Sequence, residues 1–317
     1  MMHPNQIFQN PVQIQGNFYS AIASTEFSNQ RQTNEIFSSK WNKASEKDDM
    51  GKFEVFQFDW YLKLYGFDSE DELASFLQKQ KVILDAGCGL GYKAAWFARL
   101  APEALVIGMD FSEAAEIAAR NYSDLKNLIF VRGDISDTGI REVMVDYVSC
   151  DQVIMHTEDP EKTFKHLCSL LSPQGQFACY VYAKKALPRE LLDDYFRLNT
   201  HSMTDEERWE LSAQLTTLGK TLSDLKISIE SPDIPTLGIK GGEYDLQRFL
   251  YWNFLKCFWK EDWGWELSLS TNYDWYAPSN ARRFSEDEYK KIIKDNDLKI
   301  IHFHKEPACY SGRLGKN

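Results

Sequence analysis

Three glycines, Gly87, Gly89 and Gly91, occupy alternate positions directly after an apolar run that ends at Asp85. Glycines here permit a tight turn and leave backbone amides open to a carboxylate or phosphate at the start of the next helix. The dinucleotide-binding pattern G-x-G-x-x-G would need its third glycine at position 92, where the chain has Tyr92. The spacing D-x-G-x-G-x-G therefore indicates a ligand-binding loop that departs from the dinucleotide pattern.

Two further acids follow at the ends of the next apolar runs. Asp110 comes nineteen residues after Gly91 (110 minus 91), where an acid can accept two hydrogen bonds from ribose hydroxyls. Asp134 closes the sequence RGD after the run that follows. Both acids could instead cap a helix, as acids after strands often do, and Ser112 is predicted to be the N-cap of the helix after Asp110.

The elements that must position these residues alternate between predicted strands and predicted helices. From Lys81 to Ala183, short apolar runs alternate with helix-like segments, and Asp159 with Pro160 marks one helix start. This order predicts a parallel sheet with helices on both faces, and such sheets bind ligands beyond the carboxyl ends of their strands. The alternating run 298–305 is predicted to be an edge strand.

The organisation of the chain is predicted to be one enlarged α/β domain with an insertion. We assign residues 1–45 to a loosely structured N-terminal arm and 46–183 to the core. Residues 184–283 form a helical insertion over the substrate, and 284–317 return to the core sheet. Within the insertion, the aromatic-rich stretch 243–265 is predicted to be a helix.

The stretch 83–92, ILDAGCGLGY, resembles motif I of the class I S-adenosylmethionine-dependent methyltransferases. The acids at 110 and 134 and the segment 149–177 resemble later landmarks of that family, in the same order. The resemblance is strongest over residues 80–183. It implies a Rossmann-like fold, with a mostly parallel seven-stranded sheet, helices on both faces and a helical lid. It also implies S-adenosyl-L-methionine as the cofactor, released as S-adenosyl-L-homocysteine.

The same resemblance implies a set of cofactor-binding residues. The glycines would wrap the methionine end, Asp110 would bind the ribose, Asp134 would meet the adenine amino group, and Phe111 and Ile135 would flank the adenine ring. The full set is Asp85, Gly87, Cys88, Gly89, Gly91, Asp110, Phe111, Asp134, Ile135 and Cys150. Met155 departs from the family, since a histidine is common at that position, and this weakens any shared catalytic role of the turn.

The chemistry of the family is in-line displacement, in which an oxygen, nitrogen or carbon nucleophile of a small organic acceptor attacks an activated methyl group. A nucleophile that starts protonated needs a base. His156, in the turn after the fourth strand, is the first candidate, although it could equally cap or pack that turn. Asp151 is a weaker candidate, because it could serve the cofactor's ammonium instead.

Acceptor-binding residues are predicted in the insertion. The polar-aromatic loop NYDWYAP and the aromatic stretch before it could line an acceptor site, although packing would explain both equally well. The residues concerned are Tyr273, Asp274, Tyr276 and Trp252.

Composition narrows the classes of partner. The formal net charge of -11 disfavours nucleic acid, whose binding depends on Lys and Arg. No apolar run approaches the roughly 20 residues that a membrane span needs, and the N-terminus lacks a secretory pattern, so we expect a cytoplasmic protein.

The six cysteines form no CxxC pair and are expected to be free thiols. His302 and His304 share a strand face without a third ligand, so no metal is expected.

Two alternative functions stay open. One is a protein or peptide methyltransferase, which the net charge and the absence of a DPPY or NPPY motif after the fourth strand disfavour. The other is a protein of this fold that binds the cofactor and catalyses a non-methylating reaction or none. The sequence is compatible with a homo-oligomer.

Overall fold

The computed structural model of the chain describes residues 3–10, 12, 14–21, 28–45 and 50–316; of residues 28, 42–45 and 50–53 it describes the backbone alone. Contacts divide the chain into two compact units. The first combines the residues up to Ala183 with those from Arg282 onward, and the second is Lys184–Ala281.

The described residues contain eleven strands and eleven α-helices. The strands are β1 (Phe18–Ser20), β2 (Val82–Ala86), β3 (Leu105–Asp110), β4 (Leu128–Arg132), β5 (Val145–Cys150), β6 (Leu171–Ala183), β7 (Ser228–Ser231), β8 (Gly242–Asp245), β9 (Arg283–Phe284), β10 (Leu298–Lys305) and β11 (Cys309–Lys316). The helices are α1 (Ser28–Ser45), α2 (Met50–Tyr65), α3 (Glu70–Leu77), α4 (Tyr92–Leu100), α5 (Ala114–Asn121), α6 (Pro160–Ser169), α7 (Leu187–Thr200), α8 (Asp205–Asp224), α9 (Leu246–Asn253), α10 (Gly264–Tyr276) and α11 (Glu286–Asp295).

Nine strands of the first unit form one sheet. Their order is β1-β4-β3-β2-β5-β6-β11-β10, and β9 pairs with the end of β6. All neighbouring strands are parallel except β6 with β11 and β11 with β10. The predicted mostly parallel α/β sheet is confirmed, and β10 lies at an edge as its alternating pattern predicted. The predicted number of seven strands is wrong, because β1 extends one edge and β9 adds a short pairing to β6.

Both faces of the central strand β2 are buried. Val82 and Leu84 belong to one apolar cluster, while Ile83 belongs to a second cluster that also contains Phe97 of α4. Successive strand residues point to opposite faces, so a strand covered on both sides is apolar throughout. This burial fixes the carboxyl end of β2, from which the glycine loop begins.

The N-terminal arm is more ordered than predicted over its described part. Helix α1 extends over 18 residues, and β1 pairs with β4. The Gln- and Asn-rich composition suggested little order, but Thr33 and Ile36 are buried against the first unit. Their burial supplies the tertiary contacts that a helix of weak intrinsic propensity needs.

The stretch 243–265 does not form the single helix predicted for it. Strand β8 takes its first residues, and α9 ends at Asn253. Beyond Asn253, backbone groups form hydrogen bonds with side chains. Gln247 Nε2 donates to the Cys257 carbonyl at 2.7 Å, and the Phe258 N–H donates to Asn272 Oδ1 at 2.7 Å. These bonds replace the helical ones, which periodicity alone could not reveal.

Helix α7 in the second unit reverses the usual distribution of side chains. One stripe of large apolar residues is exposed: Leu187, Leu191, Tyr195 and Leu198. The stripe two residues further along is polar or charged and buried: Arg189, Asp193, Arg197 and Thr200. The interior of the second unit is therefore partly ionic, and its charges must be paired or satisfied by hydrogen bonds.

Candidate functional site

A cleft of about 650 Å³, measured with its open mouth, lies in the first unit at the carboxyl ends of β2, β3 and β4. Loops after these strands and after β5 line one side, and α1 lines the other. The lining residues are Gln30, Thr33, Asn34, Phe37, Trp41, Gly87, Gly89, Asp110, Phe111, Ser112, Asp134, Ile135, Gln152, Val153, His156 and Thr157. Seven residues predicted as sites thus meet in one cleft: Gly87, Gly89, Asp110, Phe111, Asp134, Ile135 and His156.

The glycine loop joins β2 to α4 and has two kinds of glycine. Gly89 lines the cleft at φ +51°, and a Cβ there would lie 3.1 Å from Cζ2 of Trp41. Gly91 has φ +82° and is not among the lining residues; its Cβ would lie 2.6 Å from Cε1 of Phe130 and 2.8 Å from Cβ of Ala118. Gly89 therefore keeps the cleft open, whereas Gly91 allows the loop to pack on β4 and α5.

Asp110 organises the loops around it. Its Oδ2 accepts the Gly89 N–H at 2.8 Å, and its Oδ1 accepts the N–H and hydroxyl of Ser112 at 2.9 and 2.6 Å. These three bonds leave about one of the four acceptor positions of the carboxylate open. The N-cap of α5 is Glu113, one residue after the predicted Ser112. The Ser112 hydroxyl donates to Asp110 Oδ1 and also accepts the N–H of Ala114, the first residue of α5, at 3.3 Å.

Asp134 lies beyond β4. Its Oδ1 accepts the Ser136 N–H at 2.8 Å, and Asp134 is partly exposed at the cleft. Ile135 is buried beside it and also lines the cleft, as does Phe111 beyond β3. The cleft thus has carboxylates and apolar surfaces at the ends of neighbouring strands.

A buried charge cluster lies at the carboxyl ends of β2 and β5: Asp85, Lys93, Asp151 and Tyr65. Lys93 Nζ donates to Asp151 Oδ2 at 2.5 Å, and the Tyr65 hydroxyl donates to Asp151 Oδ1 at 2.8 Å. Gln152 Nε2 also donates to Asp151, at 3.1 Å. The structure therefore does not bring Asp151, the weaker candidate base, to the cleft, and its carboxylate is engaged by three donors.

The protonation of this cluster is shifted by burial and by charge. Burial raises the pKa of Asp85 to about 6, and the ammonium of Lys93 limits the rise. Burial alone would lower the pKa of Lys93, but the carboxylates of Asp151 and Asp85 raise it above its ordinary value. Above pH 6, two carboxylates and one ammonium leave one excess negative charge. Asp85 Oδ2 has no hydrogen-bond partner among the described residues.

His156 lies at the end of the cleft after β5. Its Nε2 is 3.4 Å from the Tyr182 hydroxyl, and its ring packs edge-on against Phe37 with centroids 4.9 Å apart. The side chain is 6% exposed and borders the cleft. Its surroundings combine an aromatic wall with a hydroxyl, so the imidazole is oriented by its neighbours.

Helix α1 covers the cleft with aromatic side chains. Phe37 contacts His156, and Trp41 stands over Gly89. Lys40 Nζ lies 4.2 Å from the Trp41 ring centroid, and the Ser38 hydroxyl accepts the Glu113 N–H at 3.3 Å. The sequence did not predict Phe37 and Trp41 as lining residues, because nothing in their spacing identifies the loop that they face.

The two predicted cysteines of the cofactor site, Cys88 and Cys150, are buried and do not line the cleft. Burial raises the pKa of both thiols. All six cysteines are free, as expected. Within the described ranges, no three His, Cys, Asp or Glu side chains are grouped so that they could hold a metal ion. No described helix is long and apolar enough to cross a membrane.

The predicted acceptor residues belong to the second unit. The segment containing Tyr273, Asp274 and Tyr276 was predicted to be a loop, but it lies at the end of α10. Tyr273 donates to Asp205 and stacks on Trp209, and the Tyr276 hydroxyl donates to Asp193 Oδ1 at 2.8 Å. Both tyrosines are buried in the interior of this unit. Trp252 of α9 is half-buried, with Lys185 Nζ 5.7 Å from its ring centroid.

A family model described as "Methyltransferase domain" matches residues 77–253. This is more than half of the 317 residues, since 253 minus 77 plus 1 is 177. The chain therefore belongs to this methyltransferase family. With its D-x-G-x-G-x-G loop and its mostly parallel sheet, it is a class I S-adenosylmethionine-dependent methyltransferase.

Individual relatives share at most about a third of their residues with the chain over the matched segments reported next. Over 146 residues the chain is 30% identical to an uncharacterized methyltransferase of Schizosaccharomyces pombe, covering 41% of this chain and 52% of that protein. Over 198 residues it is 26% identical to the ubiquinone biosynthesis O-methyltransferase of Coxiella burnetii, covering 57% of this chain and 77% of that one. The solved magnesium protoporphyrin IX methyltransferase of Synechocystis is similar, with a TM-score of 0.48 and 14% identity, covering 92% and 100% of the two chains. The chain spans about half the length of the first relative.

Proposed function

We propose that the chain transfers the methyl group of S-adenosyl-L-methionine to an oxygen, nitrogen or carbon nucleophile of a small organic acceptor, by in-line displacement. The observation that carries the proposal is the convergence of the glycine loop, Asp110 and Asp134 on one cleft. The printed name of the Coxiella relative, an O-methyltransferase of ubiquinone biosynthesis, supports a small-molecule acceptor.

The residues of the cleft fit the cofactor. Gly89 leaves room at the surface of the loop, since a Cβ there would approach Trp41 at 3.1 Å. Asp110, with about one acceptor position open, would accept one ribose hydroxyl rather than the two that the sequence suggested. Asp134 would accept the adenine amino group, with Phe111 and Ile135 against the ring. When bound, S-adenosyl-L-methionine supplies a methyl group that its sulfonium has already activated.

The buried charge cluster supports a cationic ligand nearby. Asp85 Oδ2 lacks a hydrogen-bond partner in the described part of the chain, and the cluster of Asp85, Asp151 and Lys93 carries one excess negative charge above pH 6. A buried charge without a partner is costly, and a nearby positive charge would compensate it. The ammonium and sulfonium of the cofactor are both positive, so we assign to Asp85 the role of attracting the methionine end.

We assign the role of general base to His156. Its imidazole borders the cleft, and the Tyr182 hydroxyl lies 3.4 Å from Nε2. An imidazole has an unperturbed pKa of about 6.5, which suits proton transfer near neutral pH. The Phe37 ring restricts its orientation and excludes water from one side.

The proposal is tested with methyl-labelled S-adenosylmethionine and a metabolite extract, followed by separation of small molecules from macromolecules. We expect label in the small-molecule fraction with the wild-type chain and a large loss with Asp110→Ala. Label confined to macromolecules would overturn the proposal in favour of protein or peptide methylation. Tight cofactor binding without any labelled product would overturn it in favour of a non-methylating protein.

A further inference from the structure

We propose that the second unit contains a binding site for a small organic carboxylate, centred on the ammonium of Lys256. The inference goes beyond the proposed function and does not depend on it. The site itself is argued from the interior of residues 184–281.

Three cations surround one indole ring in this unit. Lys256 Nζ lies 4.4 Å from the ring centroid of Trp275, and Arg189 Cζ lies 5.2 Å from it. Lys185 Nζ is 5.7 Å from the centroids of both Trp275 and Trp252. Such contacts attract the cations to the ring face, but an aromatic ring accepts no conventional hydrogen bond from an ammonium and does not replace a carboxylate partner.

One of the two carboxylates that act on Lys256 is already saturated, and the other, that of Asp274, forms no ion pair with it. Asp193 accepts Arg189 Nε at 2.8 Å through each of its oxygens. It also accepts Trp275 Nε1 at 2.7 Å and the Tyr276 hydroxyl at 2.8 Å. A carboxylate offers about four acceptor positions, so Asp193 has none left for Lys256.

Lys256 is therefore a buried ammonium without an acceptor. Its side chain is 6% exposed, and no described residue accepts a hydrogen bond from its Nζ or forms an ion pair with it. The charged groups that act on it are Arg189, Lys185, Asp193 and Asp274.

The chemical class of the ligand follows from the missing acceptor of the Lys256 ammonium. An isolated buried charge is unfavourable unless a charge of opposite sign compensates it. The surrounding aromatic rings favour a weakly hydrated organic anion over sulfate or phosphate, whose desolvation is more costly. A carboxylate can accept from Lys256, while an apolar body attached to it could contact the half-buried face of Trp252.

Proton uptake on binding would distinguish a carboxylate bound to Lys256 from a lysine that is only packed. Burial lowers the pKa of Lys256 to about 7, and Arg189 adds to this effect. A bound carboxylate would raise that pKa again, so binding above pH 7 would take up about one proton. Below pH 6 the ammonium is already formed, and little uptake is expected.

The test is a calorimetric titration of the full chain, without cofactor, against benzoate, 4-hydroxybenzoate and cinnamate. Each is compared with its neutral amide and with sulfate. The titrations are run near pH 8 in two buffers of different ionisation enthalpy, which gives the number of protons taken up. The variant is Lys256→Met, and the matched control is Lys220→Met, because Lys220 also lies over a tryptophan ring but is exposed and paired with Asp224.

We expect a carboxylate of this panel to bind with proton uptake, and its amide and sulfate to bind at least about tenfold more weakly. Lys256→Met should weaken carboxylate binding by about tenfold to a hundredfold, while Lys220→Met should not. Lys256→Met removes a buried charge that has no acceptor, so the melting temperature of this variant should be no lower than that of wild type. If Lys256→Met fails to fold, Lys185→Met is the second variant.

The inference is overturned if no member of the panel binds, if amides or sulfate bind as well as carboxylates, or if Lys256→Met binds as wild type does. Its failure is distinguishable from that of the proposed function. The titrations are made without cofactor and do not depend on methyl transfer.

Discussion

Lys93 Nζ and Asp151 Oδ2 lie 2.5 Å apart, and both side chains are almost fully buried. The pair connects α4 to the end of β5, at the base of the glycine loop. Asp85, at the end of the neighbouring strand β2, adds a second carboxylate to the same buried region. The loop is therefore supported by an ionic cluster rather than by apolar packing alone.

Breaking this pair from one side should destabilise the chain strongly. Lys93→Met leaves Asp151 and Asp85 without their cation, and loss of one partner of a buried ion pair costs about 3–5 kcal/mol. Urea denaturation monitored by circular dichroism measures the free energy of unfolding. Lys93→Met/Asp151→Asn should recover part of the loss. The control Lys291→Met breaks an exposed ion pair with Asp295 and should leave the free energy of unfolding unchanged. Equal effects of Lys93→Met and Lys291→Met would contradict a stabilising role of the buried pair.

The second prediction concerns pH. The folded chain holds a proton on Asp85 that the unfolded chain releases, because burial raises its pKa from 3.8 to about 6. This contribution to stability is present below pH 3.8 and is lost as pH rises through about 6. Asp85→Asn should remove this loss. Near pH 7 the free energy of unfolding of the variant should then exceed that of wild type by up to roughly 3 kcal/mol, at about 1.4 kcal/mol per pKa unit.

Denaturation of wild type and Asp85→Asn from pH 4 to 7 measures this difference. Asp85→Asn should also bind S-adenosylmethionine more weakly, because it removes the negative charge assigned to the methionine end. A stability difference that does not change with pH would show that Asp85 keeps an ordinary pKa in the folded chain.

Much of the core fold could be predicted from the sequence. Helix α4 is one of the helix-like segments of the alternating region, and its bounds follow from the glycines that precede it and from Ala101 with Pro102 after it. The strands β2 to β5 were predicted because buried parallel strands form continuous apolar runs. The division after β6 was visible because the alternation stops there.

The contacts that complete the site could not be predicted in this way. Lys93 lies within an apolar helix, and its partner Asp151 is 58 positions away, so no local pattern connects them. The hydrogen bonds between Asn272 and the backbone of Phe258, beyond the end of α9, span 14 positions and also follow no local period. Such pairings depend on tertiary structure, which a period of two or 3.6 residues does not encode.

The third prediction tests the ribose assignment. Asp110→Ala should lower S-adenosylmethionine affinity by about tenfold to a hundredfold, because hydrogen bonds to a charged group are lost and the Gly89 N–H loses its acceptor. Asp110→Asn should have a smaller effect, since one acceptor oxygen is kept. Isothermal titration gives the dissociation constants, with the exposed Asp124→Ala as the control. Unchanged affinity in Asp110→Ala would show that the ribose binds elsewhere.

The fourth prediction separates catalysis from binding. His156→Gln should lower the initial rate of methyl transfer by about a hundredfold to ten-thousandfold, the usual contribution of a general base, without changing cofactor affinity. Tyr182→Phe should have a smaller effect, because it removes only the hydroxyl near Nε2. Rates are followed by S-adenosylhomocysteine formation across pH. A variant with full activity and an unchanged pH profile would leave His156 as a packing residue.

The most direct measurement of the central claim is a crystal structure of the chain with S-adenosylhomocysteine. The account predicts density in the cleft between the glycine loop and α1, with a ribose hydroxyl within hydrogen-bond distance of Asp110 and the adenine beside Asp134. Density at any other site, or an empty cleft in a crystal grown at saturating product, would contradict it.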